Sequence, residues 1–348
     1  MDAAKGLVLS SAAEADSAPA IEGTSRELVP LVNRPIIGHA LTAMYEAGVT
    51  DAMVAGPQPA LTQIAEALDH DDGSLPRIHY LAHDGGSPIT ALRGAAPLFG
   101  DSPVLVQSAD ALLWDGLDCL FDGDSEADAL VLLRDCSGSK PFDGDGAGVP
   151  RALIGDGVPD DALEPAGFYL LSPRAIRAAQ GLRAPRDLAG MIEQMVEDGG
   201  RAEGKRVDCC WRYGGDPLRL LEANRVLLEQ LPADVRPPTR LGSDLEGRVL
   251  IDPSAEISRA TIRGPAAIGP GARISDSYIG PYTSIGANAV VEGAEIEHSI
   301  VLPGATIAYL GRRLEGSIVG SGAKLFRDFR LPRALRVHVG AGAHISLV

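Results

Sequence analysis

The amino-acid sequence predicts an α/β domain followed by a parallel β-helix, and three observations carry that reading. Short apolar runs alternate with helical patterns over roughly the first 230 residues, as in a sheet covered by helices on both faces. Prolines then cluster at Pro232, Pro237 and Pro238 and break the pattern. Beyond them isoleucine or valine recurs every five or six residues. At 348 residues the chain is long enough for two separate cores, and 45% hydrophobic with 22% charged residues are globular proportions.

In chain order, the strand candidates are Gly6-Leu7-Val8-Leu9, Ala52-Met53-Val54-Ala55, Ile78-His79-Tyr80-Leu81, Val104-Leu105-Val106, Ala129-Leu130-Val131-Leu132-Leu133 and Gly167-Phe168-Tyr169-Leu170-Leu171. Helices are expected between most of them. The clearest helix opens at Asp216-Pro217, where a capping side chain precedes a proline with its φ already set for the first turn, and it carries Leu220, Leu221, Leu227, Leu228 and Leu231 on one stripe. These signals divide the chain into a domain over 1–232, a linker over 233–247 and a repeat domain over 248–348.

The repeat runs through Ile251, Ile257, Ile262, Ile268, Ile274, Ile279, Ile285, Val291, Ile296, Val301 and Ile307, often followed by a small residue. Ile262, Ile279 and Ile296 are each 17 residues apart. Three short faces per coil make a triangular parallel β-helix, with each aliphatic side chain in the lumen and a small residue at each corner. The three are therefore expected to stack in one column. Val319–Ala323 and Val339–Ala343 look like further coils after a non-repeating insertion.

A net charge of −16 argues against a nucleic-acid partner, which demands clustered cations. No apolar run reaches the length of a membrane span, and Met1–Lys5 lacks the core of a signal peptide, so a cytoplasmic protein with no membrane partner is expected. Cys119, Cys136, Cys209 and Cys210 have no disulfide-framework spacing and read as reduced thiols. The acidic stretches 122–128 and 143–148 lack the spacing of a calcium loop and read as turns, while Ser137-x-x-Lys140 lies in a glycine- and proline-rich loop unsuited to a serine–lysine pair.

Several segments carry a resemblance to a known family. Leu221-Glu222-Ala223-Asn224-Arg225, Ile262-Arg263-Gly264-Pro265-Ala266, Tyr278–Gly286 and Glu297-His298-Ser299-Ile300-Val301 resemble the long-form glucose-1-phosphate thymidylyltransferases, a branch of the sugar-1-phosphate nucleotidyltransferases. Ser25–Ile37 is similar to the segment that follows their nucleotide-binding loop. The resemblance covers essentially the whole chain. It implies a Rossmann-like, GT-A-like domain with a mostly parallel mixed sheet, then a left-handed β-helix of hexapeptide repeats. The implied chemistry joins a nucleoside triphosphate to a sugar 1-phosphate with Mg²⁺ and releases pyrophosphate.

Carried over residue by residue, the catalytic inventory is poor. The family's loop glycines fall on Ser11, Ala12 and Glu14, and its arginine falls on Asp16. Backbone N–H groups cradle phosphate only where side chains stay clear, and here two carboxylates intrude. The lysine after the loop becomes Arg26, the surviving catalytic candidate, which keeps charge but not reach. The metal motif keeps its aspartate as Asp110, while the second metal aspartate falls on Tyr213. Ser108, Gly167 and Trp211 stand where the resemblance puts substrate contacts.

Three readings follow. A degenerate family member would have lost catalysis and serve as a binding or structural subunit, homo-oligomeric and able to work alongside an active paralogue. An altered but working enzyme would bind Mg²⁺ at Asp110 and steady the phosphates with Arg26. An acyltransferase would use His298 on the β-helix as its base, with a surface histidine as the plainer reading. Flat β-helix faces commonly self-associate, so the oligomer is expected to form at least partly through residues 248–348.

Overall fold

A computed structural model of the chain describes residues 4–10, 25–69, 73–83, 87–121, 126–135, 153, 163–181, 187–232 and 242–329. The expected loop at Ser11–Pro19 and the coil at Val339–Ala343 lie outside these residues, as do Cys136, Ser137–Lys140 and the acidic stretch 143–148.

Two compact units emerge. The first contains Pro35–Gly214 with the described residues before Val29, and the second contains Val29–Arg34 with the residues after Gly214. The helix at residue 217 thus groups with the β-helix unit, and the first coil strand, Asp244–Glu246, already lies within the interval expected as linker.

The first unit is built on a seven-stranded mixed sheet. Its strands are β1 (Lys5–Leu9), β2 (Asp51–Gly56), β3 (Arg77–Ala82), β4 (Val104–Ser108), β6 (Ala129–Asp135), β7 (Leu163–Leu171) and β8 (Ala202–Arg206), with β5 (Ala111–Leu113) and β9 (Cys210–Arg212) forming a separate two-stranded ladder. The sheet order is β8-β6-β7-β4-β1-β2-β3, and β7 runs antiparallel to both its neighbours. Every expected strand appears. They are legible because strands buried on both faces read as continuous apolar runs, as in Ala129–Leu133, where all five residues are buried.

Helices cover both faces of that sheet. Ile37, Leu41 and Met44 of α1 (Ile36–Glu46) and Leu61 and Ile64 of α2 (Gln58–Leu68) join the core on one side. Ile89, Leu92 and Phe99 of α3 (Pro88–Phe99), with α5 (Pro173–Gly181) and α6 (Leu188–Glu197), join the core on the other; α4 (Asp118–Phe121) is a single turn. Asp128, once a calcium-loop candidate, accepts hydrogen bonds from the Arg201 amide at 3.0 Å and the Ser172 hydroxyl at 3.1 Å, a structural role.

The second unit is a left-handed parallel β-helix of three five-stranded sheets. The expected column is in register: Ile262 pairs with Ile279 and Ile279 with Ile296, flanked by Leu245 and Leu314. All three isoleucines are fully buried. Two parallel columns, Ile268–Ile285–Val301 and Ile274–Val291–Ile307, complete the lumen. Left-handed backbone at the corners repeats with the coils, at Arg259, Asp276, Gly293 and Tyr309. At Gly293 a side chain is doubly disfavoured, because an added Cβ would lie 2.8 Å from the Tyr309 ring.

Helix α7 (Pro217–Glu229) packs within this unit. Asp216 caps it by accepting from the Leu218 amide at 3.0 Å, as the sequence implies. Its fully buried Asn224 accepts from the Val32 amide (3.1 Å) and the Ser284 hydroxyl (2.7 Å) and donates to the Tyr282 carbonyl (3.2 Å). One side chain thereby satisfies two buried groups and a half-buried carbonyl from different segments. No described helix is long and apolar enough to cross a membrane.

Candidate functional site

Open α/β sheets place ligands at the carboxyl ends of their strands, and the first unit gathers its candidates there. β1 ends at Leu9, and Ser10 follows; β4 ends at Ser108 and turns through Ala109 and Asp110 into β5. That turn is braced by Gln107, whose side-chain amide donates to the Ala111 carbonyl at 2.8 Å. Gly167 faces the same turn from β7. Its φ is +89°, and an added Cβ would lie 3.0 Å from Ser108 Oγ, so both conformation and space demand glycine.

The short ladder of β5 and β9 decides what reaches Asp110. Arg212 pairs with Ala111, and the Tyr213 amide donates to the Asp110 carbonyl at 3.1 Å. This register sets the Arg212 guanidinium on the Asp110 carboxylate, Nε to Oδ1 at 2.8 Å, with the two side chains only 9% and 4% exposed. The other oxygen, Oδ2, is buried and has no hydrogen-bond partner among the described residues. Trp211 and Tyr213 stack with ring centroids 6.1 Å apart, Trp114 lies 6.0 Å beyond Trp211, and Tyr213 is fully buried.

A second carboxylate lies nearby. The one-turn helix Arg26–Leu28 sends Glu27 into the interior, fully buried, where the Ser10 hydroxyl donates to Oε1. Its Oε2 is buried without a partner among the described residues. Burial pushes the Glu27 carboxyl above its ordinary range; the Ser10 bond and a backbone bond oppose this, the charge of Asp110 adds to it and that of Arg26 subtracts. Because the folded pKa is raised, the contribution of Glu27 to stability is present at low pH and is lost as pH climbs through the folded value. Glu27→Gln should therefore flatten the fall in stability above the ordinary glutamate range, read from urea unfolding between pH 4.5 and 8.

Ser108, Asp110 and Gly167 are thus brought together, with Arg26 one residue from Glu27 and Trp211 stacked behind. Arg212 and Glu27 escape a reading by residue type. The available signal was a cation at 212 directly beside the position where a carboxylate had vanished. His298 belongs to the second unit, at a left-handed corner with its ring 6.1 Å edge-on from Tyr282. Among the described residues Cys119, Cys209 and Cys210 form no disulfide, and burial, helped by Asp115, pushes the Cys209 thiol up to about 11, so it stays protonated near neutral pH.

The residues present do not fit a bound Mg²⁺. One oxygen of Asp110 is held by a guanidinium, and among the described residues no group of three or more His, Cys, Asp or Glu side chains is placed to hold a metal.

No family model matches the chain. Among curated proteins it is 28% identical to a glucose-1-phosphate thymidylyltransferase of Streptomyces antibioticus, over 99% of each chain. It is 26% identical to one of Streptomyces griseus, over 97% of each. A low-salt glycan biosynthesis nucleotidyltransferase, Agl11, of Haloferax volcanii is 29% identical over 99% of this chain and 100% of that protein. Among solved structures, a Bacillus anthracis protein assigned as a glucose-1-phosphate thymidylyltransferase, in complex with a sucrose, matches with a TM-score of 0.52 at 18% identity. That match covers 64% of this chain and 94% of the other and speaks to the fold alone. With the mixed sheet, the β-helix and relatives collinear over almost the whole chain, this protein is similar along its length to the glucose-1-phosphate thymidylyltransferases among the sugar nucleotidyltransferases.

Proposed function

We propose that this chain retains the body of a sugar nucleotidyltransferase without its pyrophosphorylase chemistry and acts in the cytoplasm as a binding or structural subunit. The buried Arg212–Asp110 ion pair carries this reading. Phosphoryl transfer in such a site uses two carboxylates to hold a cation against the phosphates. Here one carboxylate is tied to a guanidinium in a nearly water-free setting, and drawing it away would strand a charge.

The charge of the loop points the same way. Asp16 in place of an arginine removes one attraction and adds one repulsion toward a triphosphate, each ~3 kcal/mol per unit charge at roughly 5 Å and an effective dielectric near 20. Together they amount to about a 10⁴-fold loss in binding or rate. A homo-oligomer joined through the β-helix, able to pair with an active paralogue, belongs to this proposal.

The working-enzyme reading draws on one observation, the similarity over almost the full length to curated proteins named as nucleotidyltransferases. A pyrophosphate-release assay with Mg²⁺, thymidine triphosphate and glucose 1-phosphate separates the two. The proposal expects no release above background; turnover of ~1 s⁻¹ or faster establishes the altered enzyme instead.

A further inference from the structure

We infer that Arg212 is a tethered substitute for a metal ion, and that Asp110 and Glu27 form a latent divalent-cation site which its guanidinium keeps closed. The inference deepens the proposed loss of catalysis and rests on that reading. It adds what replaced the cation and what the site becomes without the replacement.

Each of the two carboxylates is half-committed. Arg212 holds Oδ1 of Asp110, and Ser10 holds Oε1 of Glu27. The remaining oxygens, Oδ2 and Oε2, are both buried and bare among the described residues. The backbone joins the two: the Ala109 amide, one residue before Asp110, donates to the Leu9 carbonyl at 2.9 Å, and Ser10, the next residue, holds Glu27. A carboxylate oxygen can only accept, so two such buried atoms on adjoining strand ends call for a cation or a proton. Oxygen donors of this kind suit Mg²⁺ or Mn²⁺. Arg212 already supplies one positive charge, delivered by the β5–β9 ladder and fixed by the chain itself. A guanidinium cannot lose its proton at any accessible pH, so the neutralisation is permanent and needs no free ion.

The test is Mn²⁺ binding to the full-length protein after chelation, followed by electron paramagnetic resonance, with melting temperature as a second readout. Wild type should take up no Mn²⁺ tighter than about 1 mM. Arg212→Gln and Arg212→Met should each bind one ion at least about tenfold more tightly and melt higher when it is added. Adding Asp110→Asn or Glu27→Gln to Arg212→Gln should abolish that gain. Two outcomes overturn the inference: wild type that binds Mn²⁺ and loses it with Asp110→Asn, or a folded Arg212 variant that binds no better than wild type. Where both Arg212 variants fail to fold, Mn²⁺ that wild type binds and Asp110→Asn loses still overturns the inference. None of these readings involves nucleotide turnover, so they stand or fall separately from the pyrophosphate assay.

Discussion

Replacing Arg212 by methionine is expected to lower the stability of the first unit by about 3–5 kcal/mol, because it leaves Asp110 ionised in the interior with no compensating charge. Removing both charges together, as Asp110→Asn with Arg212→Met, should recover most of that loss, since neutral groups of similar size fill the space without a stranded ion. Trp114 and Trp211 are the two tryptophans of the chain, and both lie in that unit, so urea unfolding followed by their fluorescence reads it selectively. A single variant within about 1 kcal/mol of wild type would mean that the pair is solvated and weak.

The second large effect is expected in the β-helix. Ile279→Asp puts an unpaired carboxylate at the middle of a dry column, between Ile262 and Ile296, and should cost more than about 4 kcal/mol. Arg273→Glu, on an outward position of a neighbouring face, should change stability by no more than about 0.5 kcal/mol. Limited proteolysis of residues 242–329 distinguishes the two. Equal resistance of both variants would be incompatible with a closed aliphatic lumen.

How much of this could be read from residues alone differs between the two units. The β-helix was legible because its geometry is repeated in the sequence: one coil brings Ile262, Ile279 and Ile296 over each other, so the spacing states the contact. The sheet strands were legible because burial on both faces demands unbroken apolar runs such as Ala129–Leu133. The capped start of α7 was legible as well, since Asp216 and Pro217 act locally.

The site was legible only as a set of losses. Asp110 and Tyr213 could be placed by resemblance, but the partner of Asp110 depends on a ladder of three-residue strands, Ala111–Leu113 and Cys210–Arg212, far apart in the chain. Strands that short carry no periodicity, and so the register that delivers Arg212 is invisible until the fold is built. Glu27 escaped for a similar reason, because a three-residue helical turn gives no amphipathic pattern to mark its buried face. Asn224 stood inside a recognised segment, yet its three hydrogen bonds join Val32, Tyr282 and Ser284, residues that only tertiary structure brings together.

The central claim is that this body no longer holds a metal–triphosphate, and calorimetric titration of the wild-type protein with Mg²⁺ and thymidine triphosphate tests it without relying on turnover. The account predicts affinity weaker than about 1 mM, which is only ~4 kcal/mol of binding. A dissociation constant in the micromolar range, about 8 kcal/mol, would contradict it and return Asp110 to the role of a working metal ligand.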